Sequence, residues 1–394
     1  MESRDVVIIG AGASGLMTAA TAGYRGRDVL LLEHTKKVGR KILMSGGGRC
    51  NFTNIHNGPD NFLSSNAHFS KSALSRYKAA DFIELVERHG VEFHEKTLGQ
   101  LFCNESSKEM LQLLLTECDW SGTEIRTETT VNKVEALSDG AGYRLETTSG
   151  EVSCQSLVIA TGGLSIPNGG ATSFAYDLAR QYGMEVTELQ AALVPFTLQP
   201  KDLEHFKPLS GVSHPVTASI GKVSFRESML FTHRGISGPA ILQISSYWQP
   251  GTEVSIDLFP ELDLTDWLIQ AKEKHGKADI VNQLAQLMSK RMSQTFCELW
   301  AISGPMNQFD NKKLAAIADQ FHNWTIKPSG TEGYRTAEVT LGGIVTDEVS
   351  SKTFEAKKAP GMYFVGECLD VTGHLGGHNF QWAWACGFAA GQFV

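Results

Sequence analysis

At 394 residues the chain is too long for one compact core and predicts two or three domains. Apolar content of 42% and charged content of 20% are those of an ordinary globular protein, and a formal net charge of −8 argues against a surface built to grip nucleic acid or an anionic membrane. Seven cysteines without a C-x-x-C, apolar runs too short to span a bilayer and no charged-then-apolar leader argue against a disulfide framework, a membrane anchor and a secretion signal, so a cytoplasmic protein is expected.

In chain order, Val6-Val7-Ile8-Ile9 reads as a buried strand that runs into Gly10, Gly12 and Gly15, a G-x-G-x-x-G turn. An Ala-rich helix follows, then a second apolar strand, Val29 to Leu32, closed by Glu33. Each part suits a dinucleotide: Gly10 permits the sharp turn, Gly12 a close pyrophosphate, Gly15 a helix packed tightly on the sheet. The helix N-terminus offers N–H groups to phosphate, and Glu33 can accept from ribose hydroxyls. The candidate cofactor contacts at this end are Gly10, Gly12, Ala13, Ser14, Gly15, Glu33 and His34.

The stretch Gly39 to Asn54 has neither a helical nor a strand period and reads as a ligand-binding loop. Arg40, Lys41 and Arg49 are candidates to neutralise a pyrophosphate or a substrate anion, and Gly46, Gly47 and Gly48 demand close backbone approach, with Asn51 beside them. Cys50 reads as an inert small residue. A helix is predicted over 70–89, with Phe82, Leu85 and Val86 on one face and Gly90 as its stop, and another over 106–118. Strands are expected over 123–137, 143–148, 151–154 and 157–161, the last opening onto Gly162-Gly163. Val131, Thr161, Gly162 and Gly163 join the candidate cofactor contacts.

From 192 to 338 the texture changes to an inserted domain, β-rich over 192–260 and 324–338 and helical over 261–323. Strands are expected at Pro215 to Ile220, Glu253 to Leu258 and Trp324 to Lys327. Helices are expected from Asp263 or Thr265 to His275, near 279–300 and over 311–322. His233, in the shaped loop Leu230 to Pro239, is a candidate proton donor or substrate contact.

Sheet-like sequence returns at Gly361 to Glu367, so the first domain is discontinuous, 1–191 with 339–394. Glu367 follows Gly366 at the end of that strand, placed for a ribityl hydroxyl, and Asp370 lies just beyond. Gly376 and Gly377 lead into a helix near Asn379, whose N-terminus could face the pyrimidine edge of a flavin and favour its anionic reduced form. These residues and His378 complete the cofactor set. No second G-x-G-x-x-G appears, so a nicotinamide must bind without that motif. The twelve histidines form no H-x-x-H or H-E-x-x-H, so no metal site is expected, and no nucleophile elbow or P-loop is present.

On Gly10 to Leu16, Gly39 to Asn54 with its Ser45 to Asn51 motif, Ala160 to Gly163, Leu230 to Pro239 with its Phe231-Thr232-His233 loop, Thr340 to Gly343 and Gly366 to Gly391, the chain resembles a bacterial family of FAD-binding oxidoreductases. That family includes aminoacetone-oxidase-like and BaiN-type, bile-acid-reductase-like flavoproteins. The resemblance implies an α/β, Rossmann-like FAD domain of the two-dinucleotide-fold type. It also implies non-covalent FAD extended across that domain, and an inserted β-barrel-like domain with a helical subdomain over the isoalloxazine. His378 departs from it, standing where a tyrosine is common.

The expected activity is FAD-dependent oxidoreduction of a small molecule, with hydride passing through flavin N5, His233, Arg49 and His378 as candidate catalytic groups and NAD(P)H a possible transient reductant. Two other classes remain open. One is flavin-dependent methyl transfer to tRNA, which needs a basic face on the insert, where 261–325 mixes Lys272, Lys274, Lys290 and Arg291 with Asp263, Asp266, Glu273 and Asp279. The other is a flavin-binding protein without turnover.

Overall fold

The structure, a computed structural model, describes residues 2–137, 140 and 142–394. They form two compact units, Met1–Gln190 with Val339–Val394 and Ala191–Glu338. The first stretch of the first unit carries β1 (Glu2–Ile9), α1 (Ala13–Tyr24), β2 (Val29–Leu32), α2 (Arg40–Met44), β3 (Asn51–Asn54), β4 (Glu124–Arg126), β5 (Val131–Ala136), β6 (Tyr143–Thr147) and β7 (Gly150–Ile159). The second unit carries β8 (Ser213–Ile220), β9 (Val223–Phe231), β10 (Gly235–Ser237), β11 (Val254–Asp257), α3 (Leu264–His275), α4 (Asn311–His322) and β12 (Trp324–Ile326). On its return the chain adds β13 (Met362–Phe364) and α5 (His378–Gly391) to the first unit.

The first unit is built on a sheet of order β4-β2-β1-β7-β6-β5, with β13 also paired to β7. The pairs β4–β2, β2–β1, β1–β7 and β7–β13 are parallel, while β5 and β6 form an antiparallel meander on β7. Val6 to Ile9 and Val29 to Leu32 are buried without alternation, as strands covered on both faces are. Helix α5 lies on α1 through small residues: a Cβ on Gly387 would stand 2.6 Å from Ser14 O, and one on Gly391 2.5 Å from Thr21 Cβ. The two strands expected over 151–161 are one, because β7 pairs in parallel with β1 from Val152 to Ile159, while β6 takes its other side over Gly150 to Cys154 and β13 over Leu157 to Ile159.

Other local expectations change as well, the strand expected over 123–137 being two, β4 and β5. The stretch 39–54 is not a bare loop: it holds α2, a 3-10 turn at Ser45–Gly48 and β3, which pairs with Gln100–Cys103. The single helix expected over 70–89 is two, Phe69–Arg76 and Ala79–Arg88. Tyr77 breaks it in an extended conformation, and the Asp81 carboxylate restarts it by accepting from Lys78 N at 2.5 Å.

The second unit is an antiparallel sheet of order β12-β11-β8-β9-β10, continued by Phe196–Thr197 and Gly330–Thr331. Its ladder runs from β12 to Gly330–Thr331, and no pair among the described residues joins the two ends, so it is an open sheet and not a closed barrel. The β8–β9 hairpin turns through Gly221-Lys222, with Gly221 at φ +58°. Asp263 caps α3 and Asp310 caps α4. The helix expected near 279–300 is interrupted, and Ser289 caps its second half, Lys290–Leu299. Phe206, Phe231, Phe296, Phe321 and Trp324 make this unit a core of its own. No helix among the described residues is long and apolar enough to cross a membrane.

Candidate functional site

The end of β1 and the first turn of α1 are shaped by two close approaches. Gly10 has φ +108°, and a Cβ there would stand 2.5 Å from Ala160 O; a Cβ on Gly15 would stand 1.9 Å from Gly10 O. Gly12 differs: its φ of −90° suits any residue, and a Cβ would meet nothing within 4 Å. The chain's own packing does not require glycine there. No side chain caps α1, so the N–H groups at Ala13 and Ser14 begin an uncapped helix end. Glu33, 9% exposed, accepts from Ala11 N at 3.1 Å and Thr35 N at 2.8 Å, and each oxygen keeps a further lone pair for a hydroxyl. His34 Nδ1 lies 3.2 Å from Glu33 Oε1. Thr129 N binds Glu33 O at 3.0 Å, which brings Val131, the buried start of β5, toward this end.

A second group gathers around Glu367. Lys41 Nζ donates to Ser165 Oγ at 2.6 Å and pairs with Glu367 Oε2 at 2.6 Å. Glu367 Oε1 accepts from Ser165 Oγ and Thr340 N, each at 2.9 Å. Burial works against the carboxylate, and the adjacent Lys41 ammonium outweighs it, so the Glu367 carboxyl stays below the ordinary range. The sequence assigns Lys41 to an anion and Glu367 to a polyol; the structure pairs them with each other. Arg40 donates to Asn168 O at 2.7 Å. Ser165 is an addition that no local signal announces, and Thr340 opens the stretch Thr340 to Gly343 that the sequence singles out.

Gly46, Gly47 and Gly48 all take left-handed φ, at +57°, +66° and +89°. A Cβ on Gly46 would press within 2.8 Å of Asn51 N, while the space beside Gly47 and Gly48 is open. Arg49 is exposed and joins no ion pair among the described residues. Cys50 is fully buried, and burial pushes its thiol up to about 12, so it is a packing residue and not a thiolate.

The C-terminal motif closes the cradle. Gly366 has φ +81°, and a Cβ there would stand 2.5 Å from Ser14 Oγ, which sets this turn against the first turn of α1. Gly163 faces Thr340 and Glu367 with equally little room, Gly162 beside it has φ +72°, and the buried Thr161 Oγ1 has no hydrogen-bond partner among the described residues. Gly377, φ +93°, lies against β3, where a Cβ would stand 2.5 Å from Thr53 O and 2.9 Å from Asn51 Oδ1. Asn54 Nδ2 to Gly376 O at 2.9 Å, Thr53 Oγ1 to Gln381 Oε1 at 2.7 Å and Trp384 Nε1 to Phe52 O at 2.8 Å fasten β3 to the start of α5. No side chain caps α5.

His378 is 5% exposed, with Nδ1 2.8 Å from Asn57 Oδ1. Burial first, then His374 and His56, lower it to about 4. The neutral ring therefore donates through Nδ1 and keeps Nε2 as an acceptor.

Two expected cofactor contacts have their side chains engaged elsewhere. Asn379 braces the turn before α5 by bonding both Gly373 N and Gly373 O at 2.8 Å. Asp370 Oδ2 holds Ser65 through its N at 2.8 Å and its Oγ at 2.5 Å. Arg49 and His378 both belong to the first unit. His233 belongs to the second, at the exposed tip of the turn Thr232 to Gly235, where Thr232 Oγ1 accepts from Arg234 N and Gly235 N.

Two uncapped helix ends, glycines that face open space, a buried carboxylate with spare lone pairs and an orphaned Thr161 hydroxyl fit a long, polar, anionic ligand of the FAD kind. No group of side chains among the described residues could hold a metal ion.

A family model described as HI0933-like protein Rossmann domain matches residues 4–393. The chain is 50% identical over 395 residues, all of this chain and 98% of the relative, to an Escherichia coli protein named ribosomal RNA dihydrouridine synthase. It is 29% identical over 406 residues, 98% of this chain and 97% of the relative, to the 3-dehydro-bile acid delta(4,6)-reductase of Clostridium scindens. Among solved structures, the 3-ketosteroid-delta4-(5alpha)-dehydrogenase of Rhodococcus jostii shares the fold at a TM-score of 0.51 with 14% identity, covering 99% of this chain and 97% of that one. The fold is the Rossmann-like, FAD-binding fold of oxidoreductases.

Proposed function

The chain belongs to the HI0933-like Rossmann-domain family, and from that premise we propose that it is a FAD-dependent reductase that converts a uridine of ribosomal RNA to dihydrouridine. The observation that carries this reading is the end-to-end kinship with the Escherichia coli protein of that name. Chemistry supports it from a second side. The names of the Escherichia coli and Clostridium scindens relatives both describe saturation of a carbon–carbon double bond conjugated to a carbonyl. In uracil that is the 5,6 double bond beside the 4-carbonyl: hydride adds at carbon 6 and a proton at carbon 5, while the donor loses a hydride.

Bound FAD supplies the two-electron, hydride-transferring centre, re-reduced by a donor such as NAD(P)H. The uncapped start of α1 and the space at Gly12 would receive its pyrophosphate, and Glu33 its adenosine ribose. Lys41 and Glu367 balance each other's charge, so they orient by hydrogen bonding without adding a net field. The start of α5 favours negative charge developing before it. His378, held neutral on Asn57, is a hydrogen-bonding group there and not a resident imidazolium acid. Arg49, exposed and in no ion pair among the described residues, is a cation on this unit able to meet an RNA phosphate.

Ribosomal RNA from a strain lacking the gene, incubated without oxygen with the FAD-loaded protein and NADPH or NADH, is expected to gain two hydrogens on a uridine, read by nuclease digestion and mass spectrometry. Dithionite-reduced protein forms a second arm, independent of the nicotinamide. Unchanged RNA in both arms, with reduction of a small enone instead, sinks the proposal. It would install the second reading, favoured by the Clostridium scindens relative, of a reductase for small conjugated carbonyl compounds.

A further inference from the structure

The second unit carries a basic edge that its own stability explains only in part. Helix α3 ends in Lys272, Lys274 and His275, and the following turn carries Lys277; α4 begins with Asn311, Lys312 and Lys313. The two helix ends are held together. Lys272 Nζ donates to Asn311 Oδ1 at 3.2 Å, Asn307 N to Gly276 O at 2.8 Å and Met306 N to Ala278 O at 2.9 Å. Lys274, Lys277, Lys312 and Lys313 are exposed. The ion pairs of this unit join Arg226 to Glu261, Arg234 to Glu332 and His322 to Asp257, and none of them uses these lysines. The acids alongside are Glu273, exposed on α3, and carboxylates placed at helix starts, Asp263 among them as the cap of α3. Asp310 Oδ1 caps Lys313 N at 2.7 Å, Asp279 Oδ1 caps Val281 N at 2.9 Å, and Asp266 lies in the first turn of α3, far from its end.

A solvated helix face accounts for part of this and fails for the rest. Cations at the end of α3 are where the helix dipole favours them. Lys312 and Lys313 sit in the first turn of α4, where the same dipole disfavours cations, and they gain no counter-ion. Five lysines carried by the adjoining ends of two helices and the turn after α3, none of them in an ion pair among the described residues, in a chain whose net charge is −8, make a local anion-binding surface.

We propose that the edge formed by Lys272, Lys274, Lys277, Lys312 and Lys313 grips the phosphate backbone of the RNA substrate. The inference rests on the ribosomal RNA reading above and adds the surface that holds the RNA. Side chains of this kind contact phosphates and not base edges, so the edge contributes affinity and salt dependence and leaves the choice of uridine to the site.

The test compares the wild-type holoenzyme with the variant carrying Lys272→Gln, Lys274→Gln, Lys277→Gln, Lys312→Gln and Lys313→Gln, and with a control carrying Lys201→Gln and Lys222→Gln. Binding of ribosomal RNA is measured across potassium chloride concentrations. The slope of log affinity against log salt is expected to fall by about one per lysine lost in the first variant and to hold in the control. The KM for RNA should rise at least tenfold with kcat, flavin spectrum and thermal midpoint preserved. If the five-fold variant keeps the wild-type slope and KM while the wild type makes dihydrouridine, the edge is wrong and the function stands. If the wild type neither binds nor modifies ribosomal RNA, the functional reading fails and this inference falls with it.

Discussion

A methyl group on Gly12 would meet nothing within 4 Å at an ordinary φ of −90°, whereas one on Gly15 would stand 1.9 Å from Gly10 O. The two glycines of one motif therefore answer to different demands. Gly15→Ala is expected to prevent folding, because backbone must move to admit it. Gly12→Ala should cost the apoprotein at most about 1 kcal/mol, the price of a poorer helix cap, yet weaken FAD at least tenfold. Urea midpoints of the apoprotein and a flavin titration separate the two effects; equal losses in both would show that the space is not the cofactor's.

His378 gives a pH dependence of definite sign. Its folded value of about 4 lies below the 6.5 of an ordinary histidine, so the unfolded chain binds a proton first as pH falls. Stability should decline between about pH 6.5 and 4, by on the order of 3 kcal/mol in total. His378→Gln should flatten that window in urea unfolding, whereas an unchanged slope would mean that the ring is not held neutral.

At the scale of elements, what is legible in the sequence is what local pattern specifies. The β1–α1–β2 unit carries its own periods and its own turn and is readable from Val6 to Glu33, although β1 begins earlier, at Glu2. The stretch 39–54 is not, because β3 is Asn51-Phe52-Thr53-Asn54, a strand with no strand-like run, held by Gln100–Cys103 and by the start of α5. The break at Tyr77 is equally silent. There the ring packs on Phe388 at 4.7 Å and the carbonyl accepts from Gln381 Nε2 at 3.0 Å, so contacts from the far end of the chain override a continuous helical period. The pairing of Lys41 with Glu367 joins residues 326 positions apart, and neither one's neighbours in sequence encode the other. Chemistry-bearing residue types are visible from sequence; which of them meet is a property of the fold. Asn379 and Asp370 make the same point, since their side chains are engaged by Gly373 and Ser65.

For the whole molecule, net charge is a sum, and it conceals where the charge lies. Most of the acidic excess falls in the first unit, while Ala191–Glu338 is nearly neutral and gathers lysines on one edge. The return of the chain to its first domain is legible, because a buried strand and a glycine-rich helix start reappear after the insert. Each unit has a separate hydrophobic core, Ala191–Glu338 is large enough to fold alone, and its two ends lie side by side, Glu338 N donating to Leu193 O at 3.2 Å and Glu332 N to Pro195 O at 3.0 Å. The fragment 191–338 is thus expected to unfold in one cooperative transition, to bind no FAD and to keep the salt-dependent affinity for RNA. The remainder, with 191–338 replaced by a short Gly-Ser linker, is expected to take up FAD and to make no dihydrouridine. Calorimetry of the fragment and flavin absorbance of the remainder decide the matter. A fragment without a transition, or a remainder that takes up no flavin, would show that the two cores do not stand alone.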